Sequence, residues 1–327
     1  MTKTKGVVLL QFGGPDSLDA VQPFLYNLFN DNDIIQFPGG KLTQSIFAKL
    51  ISKLRYKKLQ DKYAEIGGKS PIVETTFAQQ RALQKKFDER YGIGAISVEL
   101  GMRYWKPFTD SAIRSLKEKN IRDIVLLPLY AQYSVTNAGS AFNEWKRQLK
   151  KMDASFNESR ILQYHTHPLY IQSMQERMMQ ALAKFSSTKD VYILFSAHGT
   201  PLDIVKKGDP YSVQIKETME VVMDKFRNEF PYTLSFQSKV GPKKWLEPDT
   251  EETIEELANH GHKKLLVVPI SFVSDHIETA HELNIEGREE AEKLGVEEFI
   301  VSEGLNESPL FIEALADIAA IELNKFD

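Results

Sequence analysis

One segment of the sequence, Leu265–Glu282, carries several acids and histidines close together. Its first part, Leu265–Val273, is apolar enough to predict a strand that is buried on both faces. A helix is predicted to begin at Ser274-Asp275, and its first two turns carry Asp275, His276, Glu278, His281 and Glu282. Residues three, four and seven apart share one face of an α-helix, so we expect a single acidic stripe formed by Asp275, Glu278 and Glu282.

Two interpretations of this acidic stripe compete. Neighbouring carboxylates repel by about 0.2–0.5 kcal/mol per exposed pair and by more when buried, a cost that a cation or a proton-transfer task would offset. Alternatively, Asp275 caps the helix, Glu278 closes a capping box and Glu282 is solvated. The capping interpretation leaves His276 and His281 unexplained. With the acids, these histidines form a mixed nitrogen and oxygen donor set that suits a divalent metal such as Fe²⁺.

A second candidate for chemistry is His198, which follows a predicted buried strand in the sequence Ser196-Ala197-His198-Gly199. Such a histidine is either a satisfied core residue, or a base near neutral pH or a nitrogen ligand. Ligands bind at the carboxyl ends of strands in open parallel sheets, which favours a functional role. Trp245 is either a core aromatic or a stacking wall. Three cations are either solvated or clamp carboxylates: Arg55, Arg103 and Lys239.

The composition excludes several classes of protein and site. The 327 residues include no cysteine, which excludes disulfides, thiolate nucleophiles and Cys-ligated zinc or iron–sulfur sites. The net charge of −4 gives no support for a nucleic-acid partner. The apolar run before Gln11 is too short for a signal peptide, and no run is long enough to span a membrane. We therefore expect a cytoplasmic protein.

Strands and helices alternate along the chain, which predicts parallel sheets with right-handed crossovers. One spacing separates Pro107 from Pro248 and Pro128 from Pro269, so the pattern of the first half recurs in the second. We predict two similar α/β halves, each with an open parallel sheet. The strands are expected at Gly6–Phe12, Ile96–Leu100, Ile121–Tyr130, Arg160–Tyr164, Val191–Phe195, Thr233–Phe236, Leu265–Val273 and Glu298–Val301.

The halves differ by an insertion at about residues 17–66 of the first, called the lip below. It holds an aromatic helix at Ser17–Asn30, an apolar loop at Ile34–Gly40 and a basic amphipathic helix at Leu42–Lys58. The lip is either a packed helical hairpin, or a lid or membrane-surface patch. We place the first half at residues 1–165, the second at 166–305 and a C-terminal helix at 306–327, which is expected to pack back on the first half.

Several motifs together carry a family resemblance that runs nearly end to end. They are Leu9–Pro15, Tyr63–Pro71, Gly101–Pro107, Phe195–Pro201, Gly208-Asp209-Pro210-Tyr211, Phe236–Pro248, Val268–Glu282 and Leu315-Ala316-Asp317. With these motifs the sequence resembles the bacterial ferrochelatases. The resemblance implies a chelatase-like α/β fold of two Rossmann-like halves with a helical lip. It also implies a lyase of haem biosynthesis that inserts Fe²⁺ into a porphyrin, with Fe²⁺ as substrate, no tightly bound cofactor and no iron–sulfur cluster.

The resemblance also implies roles for particular residues. His198 and Glu278 are the central pair at the metal and the pyrrole nitrogens, and a polar route behind them is lined by Asp275, His276 and Glu282. The expected porphyrin-binding residues are Phe12, Arg55, Tyr63, Ser70, Arg103, Tyr104 and Trp245. Phe12 offers no lone pair, so it has no role as a metal ligand. We assign His198 as the proton acceptor and Glu278 as the partner of iron or of the departing proton, although the sequence does not separate these roles.

The resemblance implies a porphyrin substrate, and we predict protoporphyrin IX, which would give protohaem with release of two protons. The alternatives are coproporphyrin III as substrate, a cobalt or nickel chelatase, and a non-catalytic porphyrin carrier. The apolar lip favours the less charged protoporphyrin, through Phe24, Phe29, Ile34, Ile35 and Phe37. Its basic helix suggests peripheral contact with an anionic membrane.

Overall fold

The structure, a computed structural model, describes residues 4–35, 37, 39–226, 229–239 and 243–326. Parts of the predicted loop Ile34–Gly40 and of the motif Phe236–Pro248 lie outside the described residues. The chain forms two compact units. Unit 1 consists of Met1–Tyr130, Ser134–Leu162 and Ile312–Asp327, and unit 2 consists of Ala131–Tyr133 and Gln163–Phe311.

Unit 1 is built on a parallel sheet of strand order β2-β1-β3-β4. Its strands are β1 (Lys5–Gln11), β2 (Ile96–Met102), β3 (Asp123–Pro128) and β4 (Asn157–Arg160). Its helices are α1 (Val21–Phe29), α2 (Lys41–Glu65), α3 (Ile72–Tyr91), α4 (Thr109–Glu118) and α5 (Ala138–Lys151). The centres of β1 and β3 are fully buried, as expected for strands covered by helices on both faces.

Unit 2 repeats this arrangement with the strand order β6-β5-β7-β8, again all parallel. Its strands are β5 (Val191–His198), β6 (Tyr232–Gln237), β7 (Lys264–Pro269) and β8 (Glu298–Val301). Its helices are α6 (Pro168–Leu182), α7 (Leu202–Val205), α8 (Tyr211–Met223), α9 (Thr250–Asn259), a π-helix (Glu278–Gly287) and α10 (Arg288–Lys293). The shared strand order confirms the predicted repeat of two α/β halves.

The last helix, α11 (Pro309–Leu323), joins unit 1 from Ile312 onward. Lys86 Nζ lies 3.0 Å from Glu313 Oε2, and an Arg90 guanidinium nitrogen lies 2.7 Å from Asp317 Oδ1. These ion pairs connect α11 to α3 across a large separation in sequence.

Two strand predictions at sheet edges and ends were wrong. The strand predicted at Arg160–Tyr164 lies earlier, at Asn157–Arg160, where it pairs with β3. This short edge strand is polar, so the apolar residues that follow it drew the prediction downstream. The strand predicted at Leu265–Val273 ends at Pro269, because Phe272 N–H donates to the Pro269 carbonyl at 3.4 Å and turns the chain away from the sheet.

The lip is helical as predicted, but its apolar residues are placed differently from the expectation for a packed amphipathic helix. Over residues 43–54 of α2 the buried positions are the small or polar Gln44, Ala48 and Ser52. The large apolar side chains recur at the same spacing on a different face, where Ile46, Phe47, Leu50 and Leu54 are 67%, 40%, 53% and 72% exposed. Hydrophobic periodicity identifies a helix face, but it does not say whether that face is covered.

Candidate functional site

The site in unit 2 begins with His198, the last residue of β5, which pairs with Gln237 at the end of β6. Gly199 N–H donates to the Gln237 carbonyl at 2.8 Å and fixes the turn that follows. A Cβ at Gly199 would lie 2.8 Å from that carbonyl oxygen and 3.3 Å from Trp245 Cε3. Glycine therefore allows both the close backbone approach and the packing of Trp245 beside His198.

Glu278 meets His198 at this edge of the sheet. His198 Nδ1 lies 2.9 Å from Glu278 Oε2, and 42% of the His198 side chain is exposed. Glu278 is the first residue of the π-helix, a form that is rare and occurs frequently at functional sites. The pair therefore joins the end of a strand to the start of an unusual helix.

Glu282 shares a hydroxyl with Glu278. Ser238 Oγ lies 2.9 Å from Glu278 Oε2 and 3.1 Å from Glu282 Oε2, and Gln237 Nε2 donates to Glu278 at 3.2 Å. The hydroxyl has one hydrogen to donate, so the two carboxylates share it, and Ser238 lies between two acids that would otherwise repel. Ser238 adopts φ of +64°, a conformation that is costly for a residue with a Cβ and that occurs preferentially at functional sites.

The two charges of the central pair stabilise each other. Burial lowers the pKa of His198, but the charge of Glu278, the hydrogen bond to it and the charge of Glu282 outweigh burial and leave this pKa raised. Burial raises the pKa of Glu278, but the charge and hydrogen bond of His198 outweigh it and lower the pKa to about 2. Glu278 is therefore ionised near neutral pH and accepts a hydrogen from Nδ1. In the neutral imidazole this leaves Nε2 as the proton acceptor.

His276 lies beside the pair and has the opposite shift. Burial lowers the pKa of His276 and dominates over the nearby carboxylates, and the charge of His198 lowers it further. Its Nε2 lies 3.8 Å from Glu278 Oε1. The Phe272 ring contacts both imidazoles, with centroids 4.1 Å from His276 and 6.2 Å from His198. The site thus contains one imidazole that favours a proton and one that favours the neutral form.

Asp275 does not extend the predicted stripe. Its Oδ2 accepts a hydrogen bond from Asn306 at 2.7 Å, and its Oδ1 accepts from Gly304 N–H and the Thr279 hydroxyl, each at 3.1 Å. The carboxylate thereby anchors the start of the helix to the loop after β8. The predicted α-helix from Ser274-Asp275 is replaced by a π-helix that begins at Glu278, since i to i+5 hydrogen bonding has no signature in a 3.6-residue period.

Three of the predicted porphyrin-binding residues form one cluster in unit 1. The Phe12 ring packs edge-on against Tyr104, with centroids 4.7 Å apart. The Tyr104 hydroxyl donates to Asp31 Oδ2 at 2.5 Å, and an Arg103 guanidinium nitrogen lies 2.8 Å from the same oxygen. The Ser140 hydroxyl also donates to this oxygen at 2.8 Å. Arg103 and Tyr104 are thus held by a buried acid that the sequence analysis did not identify.

Three further residues predicted to bind porphyrin have local contacts of their own. Arg55 is exposed on α2, with its guanidinium carbon 5.8 Å from the centre of the Phe29 ring. Tyr63 is buried near the end of α2, and Ser70 is buried where a Cβ at Gly14 would lie 2.6 Å from it. The roles of these residues in binding stay predictions.

The sequence analysis missed the two residues that complete the polar surroundings of Glu278, Gln237 and Ser238. Both lie in the motif Phe236–Pro248, and the end of the predicted strand at Phe236 placed them at a strand's carboxyl end. That position was the available signal, because a serine or glutamine alone is uninformative.

Among the described residues, no group of three or more acidic or histidine side chains is arranged to hold a metal ion. Within the same residues, none of the helices combines the length and apolarity needed to cross a membrane.

Replacing Glu278 with Gln should lower the pKa of His198, because the variant loses the charge that chiefly raises it. Titration of the imidazole C–H resonances by NMR measures this pKa. Glu282→Gln is the matched control and should cause a smaller fall, since Glu282 acts on His198 only through its charge at longer range. An unchanged His198 pKa in Glu278→Gln would contradict the paired geometry.

Comparison with solved structures identifies the fold. SirB from Bacillus subtilis with Fe³⁺ matches with a TM-score of 0.55 at 13% identity, covering 99% of each chain. The sirohydrochlorin chelatase SirB from Bacillus subtilis subspecies spizizenii in complex with cobalt matches with a TM-score of 0.53 at 10% identity, covering 98% of this chain and 96% of that one. At such identities the likeness shows a shared fold alone, and it confirms the predicted chelatase-like α/β fold.

Comparison of sequences identifies the family. A sequence model of the ferrochelatases matches residues 4–323. A ferrochelatase of Citrifermentans bemidjiense is 48% identical over 318 residues, which cover 97% of this chain and 98% of the relative. A ferrochelatase of Aquifex aeolicus is 46% identical over 98% of this chain and 99% of its own length. These matches extend over both units and confirm the resemblance carried by the motifs: the chain belongs to the ferrochelatase family.

Proposed function

We propose that this protein inserts Fe²⁺ into protoporphyrin IX and releases protohaem and two protons. The proposal rests on membership of the ferrochelatase family and on one observation, the 2.9 Å contact between His198 Nδ1 and Glu278 Oε2 at the end of β5. Metallation replaces two pyrrole N–H bonds with bonds from nitrogen to iron. The site must therefore accept protons while a dication approaches.

His198 Nε2 is the proposed acceptor of a pyrrole proton. Glu278 is ionised and accepts the hydrogen on Nδ1, so the neutral imidazole presents Nε2 as its basic nitrogen. The aspartate of a Ser-His-Asp triad orients its histidine in the same way. The raised pKa of His198 favours retention of the transferred proton until it leaves the site. The route proposed for that departure runs through the carboxylates of Glu278 and Glu282, which Ser238 connects.

The same carboxylates support delivery of Fe²⁺. Glu278 and Glu282 concentrate negative charge beside His198, and a dication is attracted to such a cluster. Imidazole nitrogen and carboxylate oxygen are suitable donors for iron(II). Two protein donors, His198 and Glu278, leave coordination positions for the porphyrin nitrogens, so the protein can hold the metal briefly and then release it. Asp275 and His276 are proposed to support this polar route.

His198→Ala should lower kcat for iron insertion by about 10²–10⁴-fold, because the variant lacks the acceptor of the pyrrole proton. Anaerobic assays with Fe²⁺ and a porphyrin, followed by the absorbance of the metalloporphyrin, measure the rate. Porphyrin binding, measured by fluorescence, should persist. His260→Ala changes an exposed histidine on unit 2 and should retain normal turnover. Near-normal turnover in His198→Ala would refute the assignment.

A wild-type protein that binds porphyrin without inserting any metal would be a carrier, and one that prefers Co²⁺ or Ni²⁺ would be a different chelatase.

Protoporphyrin IX should be used with a kcat/KM about tenfold or more above that of coproporphyrin III. Coproporphyrin carries more carboxylates, and desolvating them against the exposed apolar side chains of α2 costs more free energy than placing the less charged protoporphyrin there. Parallel assays on both porphyrins at one iron concentration give the ratio. Leu50→Lys should shift the ratio towards coproporphyrin, while Val213→Lys, an exposed position on α8, should not. A wild-type preference for coproporphyrin would overturn this choice of substrate and leave iron insertion itself intact.

The proposed location is the cytoplasm, with peripheral contact between the lip and an anionic membrane surface. Exposed Ile46, Leu50 and Leu54 lie among the exposed cations Lys49 and Lys53 on α2, a combination suited to a lipid interface. The protein should float with liposomes that contain anionic lipid, and Leu54→Glu should weaken flotation. Val213→Glu is the matched control and should float like the wild type. Equal recovery of all three proteins in the unbound fraction would refute membrane contact.

A further inference from the structure

The backbone of His198 lies beyond the last residue at which β5 pairs with β7. β5 pairs with β7 as far as Ser196 and Pro269, and Ile270 N–H then donates to the Ser196 carbonyl at 3.1 Å. In a regular parallel ladder, the Ile270 carbonyl would next accept from His198 N–H. The N–H of Phe272 would then donate to the His198 carbonyl.

Two side-chain hydroxyls occupy these ladder positions instead. His198 N–H donates to Ser271 Oγ at 2.9 Å, and the Tyr211 hydroxyl donates to the His198 carbonyl at 3.0 Å. The backbone groups that a ladder would have used are engaged elsewhere. Gln132 Nε2 lies 3.5 Å from the Ile270 carbonyl, and Phe272 N–H donates to the Pro269 carbonyl.

Each hydroxyl satisfies one backbone group of His198. Ser271 Oγ accepts from its N–H, and the Tyr211 hydroxyl donates to its carbonyl. Together they supply the two hydrogen bonds that the neighbouring strand would have made, so neither backbone group is left without a partner.

Tyr211 is itself fixed by the motif Gly208-Asp209-Pro210-Tyr211. Asp209 Oδ1 accepts from Tyr211 N–H at 3.0 Å at the start of α8, and the Tyr211 side chain is buried. Burial raises the pKa of Tyr211 far above its ordinary value of 10.0, so its phenol stays protonated and remains a donor. This motif carries part of the family resemblance, and the chemistry assigned so far gives it no task.

We infer that Tyr211 and Ser271 are positioning residues. Their hydroxyls replace the hydrogen bonds that the β7 backbone would make, and they hold the His198 backbone where its imidazole contacts Glu278. These two hydrogen bonds allow the chain to leave the sheet at Pro269 and carry the π-helix, with Glu278, to the same edge. Neither residue touches the reacting atoms in this role. The inference rests on the proposed function of His198 in iron insertion.

Tyr211→Phe and Ser271→Ala test this positioning role through kcat and KM. Each variant should lower kcat by about tenfold or more, since small misplacements of a reacting group are costly, and should leave KM for porphyrin within about twofold. Ser271→Thr keeps a hydroxyl at this position and should retain most of kcat.

Tyr170→Phe is the matched control, since it removes another buried tyrosine hydroxyl of unit 2, one that contacts Gln132 and not His198. It should leave kcat within about twofold while lowering the melting temperature as much as Tyr211→Phe does. Equal kcat in Tyr211→Phe, Ser271→Ala and Tyr170→Phe would overturn the inference.

Hydrogen–deuterium exchange provides a readout that needs no turnover. The amide of His198 should lose protection in Ser271→Ala and Tyr211→Phe, and should keep it in Tyr170→Phe and Ser271→Thr. Unchanged protection in the first two variants would overturn the inference. If the wild-type protein inserted no metal, the proposed function would fail, but exchange would still decide whether the two hydroxyls hold His198.

Discussion

The structure depends on one hydrogen bond between charged partners, from His198 Nδ1 to Glu278 Oε2 at 2.9 Å. Each partner alone would favour its neutral form, because burial disfavours the charged form of both. Together they reverse that effect, which raises the pKa of His198 and lowers that of Glu278 to about 2. The pair's contribution to the free energy of unfolding is therefore fully present between about pH 4.5 and 6.5. It is lost as the pH rises through the folded-state pKa of His198 or falls towards that of Glu278.

The repeated architecture explains where this pair can form. Both units have the same order of parallel strands, so each presents a set of strand ends from which loops diverge. In unit 1, residues after the strand ends build a buried network in which Asp31 holds Arg103 and Tyr104. In unit 2, the corresponding edge carries His198 and the start of the π-helix. The duplication thus supplied one scaffold, and the side chains at its strand ends made the two units chemically different.

The capping interpretation of the acidic segment was wrong, and the catalytic interpretation stays a prediction. The start of the helix has no side-chain cap, and Asp275 accepts hydrogen bonds from Asn306, Gly304 and the Thr279 hydroxyl. Glu278 and Glu282 instead converge on Ser238 beside His198. The prediction for the lip was likewise right in part. Its helices are present, but the large apolar residues of α2 are exposed, because the helix packs through the small or polar side chains of another face.

The sequence by itself determined the alternating α/β pattern, the repeat, the family motifs and the central residues His198 and Glu278. The pattern and the repeat follow from apolar runs and spacing, which are local properties of the chain, whereas the pairing of His198 with Glu278 was implied by the family resemblance. Only the tertiary structure decided that β7 ends at Pro269, that the next helix is a π-helix, and that Ser238, Ser271 and Tyr211 surround His198. Those outcomes depend on which hydrogen-bonding groups meet across separations of tens of residues. Hydroxyl groups carry no periodic signal that would announce such meetings in advance.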